Sequence, residues 1–259
     1  MLVSGRVFSL VCLILIAAAV LLMIRRARQG KVPHIRRLAG LDAIDEAVGR
    51  ATEMGRPVHY TIGWADGGLS GSMAAQILAG LSVLGYVGEL AAKYGVKVIT
   101  TVSQPDTLPL HEEILRIAYQ KQGKPEALAP DSVRFISIDL YAYSAGVLGE
   151  IEREKPATNI MIGPFWMESL LFTEAGFRQG SIQIAGTART SQIPFFVATC
   201  DYTLIGEEIF AAGAYLSKEP IQIATIAAQD MGKLLALALL ITGLLLYAFG
   251  NPITTLIKI

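Results

Sequence analysis

The strongest pattern along the chain is a pair of uninterrupted apolar segments, one near each end. The first runs from Val7 to Ile24 without a charged residue, and the second runs from about Leu234 to Phe249. As a helix, the first segment spans about 27 Å, close to the thickness of a bilayer's hydrocarbon core. We therefore predict a transmembrane helix at each end of the chain, with the lipid bilayer around both.

Each apolar segment also has a second interpretation. The first is compatible with the apolar core of a cleaved signal peptide, but it is long for such a core and Arg25 follows it directly. Both features favour an uncleaved anchor. The second segment is short and is compatible with a buried core helix, although its lack of charge favours a membrane span.

Basic residues follow the first apolar segment, whereas only Arg6 precedes it. The basic residues on the C-terminal side are Arg25, Arg26, Arg28, Lys31, Arg36 and Arg37. The positive-inside rule places this flank in the cytoplasm, where it can also contact anionic lipid headgroups. We expect a two-pass protein of the cell membrane with a cytoplasmic central domain. Cys12 and Cys200, the two cysteines of the chain, fit a reducing compartment.

The sequence thus divides into three predicted parts. Residues 1–30 form the anchor with its basic flank, 31–217 form the cytoplasmic domain, and 218–259 form an amphipathic lead-in and the second transmembrane helix. Within the domain, short β-branched runs alternate with helical stretches, and the predicted strands are 58–62, 96–102, 132–138, 159–162, 181–185 and 195–199. This alternation predicts an α/β fold with a Rossmann-like, mostly parallel sheet flanked by helices.

The sequence leaves two features of that fold undecided, the direction of the last strand and the surroundings of one long helix. Only about eight residues join the fifth and sixth predicted strands, too few for a parallel crossover, so we expect an antiparallel or irregular edge there. The helix predicted over Ser72–Tyr94 is apolar almost all round and contains three glycines. It is compatible with packing against the sheet, with a subunit interface, or with insertion into the membrane.

The segment Gly63–Ser72 is the sharpest candidate for a binding site, because it follows the first strand and opens a helix. Backbone N–H groups and the helix dipole favour anions at such turns. The candidate ligand residues in it are Gly67, Gly68, Ser70, Gly71 and Ser72. Asp66 stands where a dinucleotide fingerprint has its first glycine, and its charge would repel a pyrophosphate. The alternative is a tight turn in which Ser70 or Ser72 caps the helix.

Polar residues also follow the other predicted strands. They are Ser103, Gln104 and Asp106 after the second strand, Asp139 after the third and Asp201 after the sixth. Such carboxylates bind a metal or a ribose in some α/β folds, although capping of the next helix is the favoured role for Asp139 and Asp201. Arg189 lies among hydroxyl residues after the fifth strand, where it would either hold a phosphate or carboxylate or stand in a solvated connection. Asp139 and Arg189 join the candidate ligand residues.

No motif in the sequence identifies a catalytic centre. The three histidines, His34, His59 and His111, have no cysteine or carboxylate at metal-ligand spacing. Neither G-x-S-x-G nor H-E-x-x-H is present. The formal net charge of zero gives no basic excess for nucleic-acid binding. The sequence therefore names no catalytic residue, no metal ligand and no cofactor.

Two stretches of the chain carry a family resemblance. They are RRLAGLDAIDEA from Arg36, continuing through Gly55–Val58, and FFVATCDY from Phe195, continuing through Gly213. Together with the flanking apolar helices, they resemble a prokaryotic family of membrane-anchored proteins with no known function. The resemblance covers most of the chain and implies this architecture, but it carries no activity, cofactor or catalytic residue.

Two functions follow as expectations. The first is a structural or scaffolding subunit of a homo-oligomeric or larger membrane assembly, associating through apolar helices. The alternative is a membrane-tethered domain that binds or senses a small, nucleotide-like molecule at the Gly63–Ser72 turn. Enzymatic turnover has the least support, since no residue of the sequence is assigned to it.

Overall fold

The computed structural model of the chain describes residues 7–29, 38–217 and 220–248. The helices in these ranges are α1 (Val7–Arg28), α2 (Ala39–Met54), α3 (Ala74–Tyr94), α4 (Leu108–Lys121), α5 (Leu140–Glu154), α6 (Glu168–Arg178), α7 (Ile193–Thr199), α8 (Glu208–Ser217) and α9 (Pro220–Ala248). The strands are β1 (Val58–Thr61), β2 (Val98–Val102), β3 (Val133–Phe135), β4 (Thr158–Ile162), β5 (Ile182–Thr187) and β6 (Tyr202–Ile205). The chain separates into two compact units, one from its terminal segments and one from residues 36–217.

The terminal unit contains α1 and α9, which pack along each other. Both helices are long and apolar enough to cross a membrane, with mean hydropathies of 2.4 over Leu10–Arg28 and 1.5 over Ile223–Leu245. Only 6% and 11% of these windows are buried. The alternative interpretation of the second apolar segment, a buried core helix, is therefore wrong. α9 begins at Pro220, well before the predicted start at Leu234, and Phe249 lies outside the described residues.

The central unit is a Rossmann-like α/β domain, as predicted. Within the described ranges its strands form one sheet in the order β3-β2-β1-β4-β5-β6, and every pair of neighbours is parallel. Side chains of successive strand residues point to opposite faces of the sheet and enter two different hydrophobic cores. This is the pattern of strands that are buried on both faces. Ile160 and Ile162 pack with α2 and α3, whereas Met161 between them packs with Tyr143 and Phe172 of the opposite helical layer.

The segment predicted as the sixth strand, residues 195–199, is helical instead. It forms most of α7, whose first turn contains Pro194 and whose Phe196 packs edge-on against Phe165, with ring centroids 5.1 Å apart. This short helix is the crossover connection between β5 and β6. The two strands are therefore parallel, with Tyr202 opposite Ile184. The expected antiparallel or irregular edge is therefore wrong.

Helix α3 is the third helix with the length and apolarity of a membrane span within the described ranges, but 61% of its window is buried in the domain. It packs on α2, α4 and α8. A Cβ at Gly80 would collide with the carbonyl oxygen of Ile162 and lie 2.8 Å from Cγ2 of Ile62. Gly80 thus lets α3 approach the centre of the sheet, and packing within the domain accounts for most of the helix.

A chain of buried polar side chains crosses the face of the sheet opposite α3. His59 Nδ1 lies 2.7 Å from Asn159 Oδ1, and its Nε2 lies 3.1 Å from Thr101 Oγ1. Asn159 in turn donates to Gln183 Oε1 at 3.4 Å. These partners fit a neutral imidazole that donates through Nδ1 and accepts at Nε2. Burial lowers the pKa of His59 to about 4, against the opposing effect of the Asn159 hydrogen bond.

Candidate functional site

The carboxyl ends of the strands form the edge at which this fold binds ligands. The first and central strand, β1, has β2 on one side and β4 on the other, so the chain crosses over in opposite directions from this point. In open α/β sheets the crevice at such a topological switch is the usual ligand site. The loops after β1 and β4 flank this crevice, and the loop after β5 is the next one along the same edge.

The glycine-rich turn after β1 binds a carboxylate of the protein itself. Gly67 and Gly68 are both left-handed, with φ of 74° and 56°, and they lead into a 3₁₀ turn over Gly68–Ser70. The Asp106 Oδ2 atom accepts a hydrogen bond from the backbone N–H of Leu69 at 2.8 Å. Both carboxylate oxygens of Asp106 lie so close to Gly68 that an added Cβ would collide with them. Asp106 thus takes up the position against this turn in which an anion would be expected.

The serines of the turn do not cap α3. Ser70 and Ser72 are exposed, and the N-cap position of α3 is Met73, which makes no side-chain capping bond. Gly71 donates its N–H to the carbonyl of Gly68 at 3.2 Å and closes the 3₁₀ turn. The predicted capping by Ser70 or Ser72 is therefore wrong.

The other predicted carboxylates have local roles. Asp139 caps α5, accepting from the N–H groups of Tyr141 at 3.0 Å and Ala142 at 2.9 Å. Asp201 precedes β6 instead of following a strand, so it lies at the amino edge of the sheet, where it accepts from the Gln183 N–H at 2.8 Å. The predicted helix capping by Asp201 is wrong. The segment before Asp201 is the helix α7 and the segment after it is the strand β6, so no helix begins at Asp201.

Ser103 and Gln104 hold the loop after β1 in place. The Ser103 hydroxyl donates to the carbonyl of Trp64 at 2.5 Å, and Gln104 Nε2 donates to the same oxygen at 3.2 Å. The Trp64 indole N–H donates to the carbonyl of Ile138 at 2.7 Å. These contacts tie together the loops that follow β1, β2 and β3.

The second centre at this edge is a stack of Arg189 on Trp166. The guanidinium carbon of Arg189, after β5, lies 3.3 Å from the ring centroid of Trp166, after β4, which is a cation–π arrangement. The Trp166 ring meets Trp64 edge to face, with centroids 6.4 Å apart and an interplanar angle of 70°. Arg189 is half-buried, so the loop around it is not simply a solvated connection.

Two hydrogen-bond donors of this stack have no acceptor among the described residues. They are Nη1 of Arg189 and Nε1 of Trp166, both shielded from solvent. Each group can only donate. Since nearly all buried donors in folded proteins have a partner, this pair of open donors marks the place where a ligand acceptor fits.

Glu168 lies fully buried beside the stack. Its Oε1 accepts from the Trp64 N–H at 3.1 Å and its Oε2 accepts from the Trp166 N–H at 3.0 Å. Burial raises the pKa of the Glu168 carboxyl, while these hydrogen bonds and the positive charge of Arg189 act in the opposite direction. Glu168 thus holds the loops after β1 and β4 together through the backbone of the two tryptophans.

The residues predicted from the sequence fall into separate places at this edge. Among the described side chains, no hydrogen bond or ion pair joins Arg189 to the glycine-rich turn or to Asp139. Sequence reasoning missed Trp166 and Glu168, although both follow β4 at the carboxyl edge, the signal that selected Asp139. Within the ranges that the structure describes, no group of three or more histidine, cysteine or carboxylate residues is placed to hold a metal ion.

Comparison with known proteins gives one match. The model of a family described as "Domain of unknown function (DUF6754)" matches residues 1–257, which confirms the resemblance seen in the sequence. Neither the search of curated proteins nor the search of solved structures finds a match.

Proposed function

The chain belongs to the DUF6754 family, a domain of unknown function, and since that description carries no activity, we propose from the geometry of the site that its central unit binds a small molecule at a membrane. The observation that carries this proposal is the pair of open donors, Arg189 Nη1 and Trp166 Nε1. They lie at the carboxyl ends of β4 and β5, beside the topological switch at which Rossmann-like sheets bind ligands.

The energetics of the open donors support a ligand site. Leaving a buried donor without an acceptor costs about 1–3 kcal/mol, and local costs of this kind are expected at functional sites. Glu168 accepts from the backbone N–H groups of Trp64 and Trp166 and so holds the loop that carries the Trp166 donor against the loop after β1.

The terminal helices supply the membrane part of the proposal. In it, α1 and α9 each cross the bilayer, and the two-pass chain holds its central unit on the cytoplasmic side. The basic end of α1, with Arg25, Arg26 and Arg28, supports that orientation through the positive-inside rule. A cysteine introduced at exposed Arg116, in a chain with Cys12 and Cys200 changed to serine, tests it. Membrane-impermeant maleimide should label inverted vesicles and leave intact cells unlabelled, and the opposite pattern would reverse the orientation.

A thermal-shift screen of the full chain in detergent tests the ligand proposal. The screen compares the wild type with Arg189→Gln across a metabolite library, and Arg116→Gln serves as the matched control because the Arg116 side chain is 54% exposed on α4. We expect compounds that raise the Tm of the wild type and of Arg116→Gln but not of Arg189→Gln. A library that shifts all three proteins equally would contradict a site at Arg189.

A second function, assembly with further copies of this chain, has its own observation. α6 and α7 pack side by side and present an apolar outer surface. Its exposed apolar side chains are Met167, Leu170, Leu171, Phe177, Phe195 and Val197. The charges on it, Glu174 and Arg178, are paired with each other at 2.6 Å. A neutral apolar surface of this kind is typical of association sites, and in this second proposal a further copy of the chain covers it.

Mass photometry of the full chain tests this assembly. We expect the wild type to form dimers or larger species, and Phe177→Glu to shift the distribution to monomers. Ile117→Glu is the matched control, since Ile117 is an exposed apolar residue on α4, which covers the opposite face of the sheet. Wild-type monomers at all concentrations, or an equal effect of both variants, would exclude association through this surface.

A further inference from the structure

We infer that the ligand of the Arg189–Trp166 site is a zwitterion that carries one carboxylate and one ammonium group. The inference rests on the proposed binding function and names the chemistry of its ligand. It draws on the open donors, on the charges of the surrounding loops and on the aromatic pair, and these observations define the two ends of the molecule separately.

The donor pair defines the acceptor end of the ligand. The guanidinium carbon of Arg189 lies over the Trp166 indole, 3.3 Å from its centroid, so the Nη1 and Nε1 donors belong to the same stacked pair. A planar carboxylate offers two oxygens, and guanidinium–carboxylate hydrogen bonds are stronger than those between neutral groups. In this inference one carboxylate oxygen accepts from Arg189 and the other from Trp166.

The charges of the loops argue against a strongly anionic ligand. Each of the first four strand-end loops brings an acidic residue to the carboxyl edge, namely Asp66, Asp106, Asp139 and Glu168, and the loop after β5 brings Arg189. The edge thus holds more negative than positive charge within the described loops. A phosphate with two negative charges would be repelled, and Asp106 already lies against the glycine-rich turn.

The same surroundings favour a cation at the other end of the ligand. The indole of Trp64 meets Trp166 edge to face, and indole faces attract ammonium groups. Glu168, with no exposed surface, accepts from the backbone N–H of Trp64. An ammonium group offsets the negative edge while the carboxylate binds Arg189, so that the bound ligand adds no net charge.

The site also contains its own reporter. Trp64 and Trp166 are the two tryptophans of the chain, and both belong to the site. Because the open donors are shielded from solvent, a ligand reaches them only when nearby side chains move. Binding should therefore change the tryptophan fluorescence of the full chain.

Fluorescence titrations of the full chain in detergent test the ligand class. The probes are the common amino acids, and then, for the tightest of them, the amine that lacks its carboxylate and the acid that lacks its ammonium group. Inorganic phosphate and ADP complete the series. We expect each truncated probe to bind at least about tenfold more weakly than the zwitterion. Arg189→Gln should lose about tenfold in affinity for the zwitterion, and Arg116→Gln, on α4, should keep it.

The outcomes separate this inference from the proposed function. Phosphate, ADP or an uncharged compound that binds more tightly than every amino acid, in a manner that depends on Arg189, would overturn the zwitterion and leave the binding function standing. No response to any amino acid up to about 10 mM would also overturn the zwitterion. No Arg189-dependent response to any probe or library compound would overturn both.

Discussion

The Asp106 carboxylate accepts the backbone N–H of Leu69 at 2.8 Å and so fills the glycine-rich turn after β1 from within the protein. In Rossmann-like folds this turn commonly receives the phosphates of a nucleotide. Here the anion is a side chain from the loop after β2, placed directly over Gly68. This arrangement moves the expected ligand away from the turn and toward Arg189.

A double-mutant cycle tests the contact between Gly68 and Asp106. Gly68→Ala places a Cβ against the carboxylate at a left-handed φ of 56°, and we expect a loss of about 2–3 kcal/mol. Asp106→Ala should cost about 1 kcal/mol. The double variant should lose about 1 kcal/mol less than the sum, as measured by unfolding of the full chain in detergent.

Gly95→Ala is the matched control for that cycle. Gly95 also has a left-handed φ, 76°, but an added Cβ there meets no atom within 4 Å. Its effect should therefore add to that of Asp106→Ala. Additive effects at Gly68 as well would show that the carboxylate does not occupy the turn.

The buried histidines predict a loss of stability in acid. Burial lowers the pKa of His59 and of His111 to about 4, whereas in the unfolded chain each titrates near its ordinary value of about 6.5. Between these pH values the unfolded state binds more protons, so stability falls as the pH drops from 6.5 toward 4. Each histidine contributes up to about 3 kcal/mol to this loss.

The variant His59→Gln isolates one histidine. Glutamine can donate to Asn159 and accept from Thr101 without titrating, so we expect near wild-type stability at pH 7 and a shallower decline from pH 6.5 to 4. The Tm of the full chain across this range is the measurement. An unchanged slope would show that His59 titrates normally in the folded protein.

Gly80 should tolerate no side chain, unlike Gly49. A methyl group at Gly80 would collide with the Ile162 carbonyl, and we expect Gly80→Ala to lower the free energy of unfolding by about 1–3 kcal/mol. Gly49, inside α2, has no atom within 4 Å of an added Cβ, so Gly49→Ala should raise stability by up to about 1 kcal/mol. If both variants gained stability, α3 would not approach the sheet as closely as described.

Asp139 should affect stability more than binding. Its carboxylate caps α5 through two backbone N–H groups, so Asp139→Ala should cost about 1 kcal/mol. The affinity for a site ligand should fall far less than in Arg189→Gln, because Asp139 adds only to the overall charge of the edge. An affinity that falls as far as in Arg189→Gln would return Asp139 to the ligand residues proposed from the sequence.

The sequence predicted the layers of the domain but misplaced its last strand. Phe195, Phe196 and Val197 have high strand propensity, yet Pro194 suits the first turn of a helix and Phe196 fills a space beside Phe165. Pro194 is a local signal for the helix, whereas the packing of Phe196 on Phe165 joins loops distant in sequence and leaves no local pattern. The same short helix explains why the edge is parallel.

The candidate site could be predicted only in part. The rule that selects polar residues after strands found Arg189 and Asp139, since it depends on chain position alone. The stack on Trp166 and the contact of Asp106 with the turn join loops that are distant in sequence. Such pairings arise from strand order, which placed the loops after β4 and β5 side by side.

An experimental density map of the full chain with its strongest thermal-shift ligand is the most direct test of a ligand site at Arg189 and Trp166. We predict ligand density within hydrogen-bonding distance of both Arg189 Nη1 and Trp166 Nε1, with the Asp106 carboxylate still bound to the glycine-rich turn. Density for that ligand at the turn in place of Asp106, or away from both donors, would show that the ligand site is not at Arg189 and Trp166.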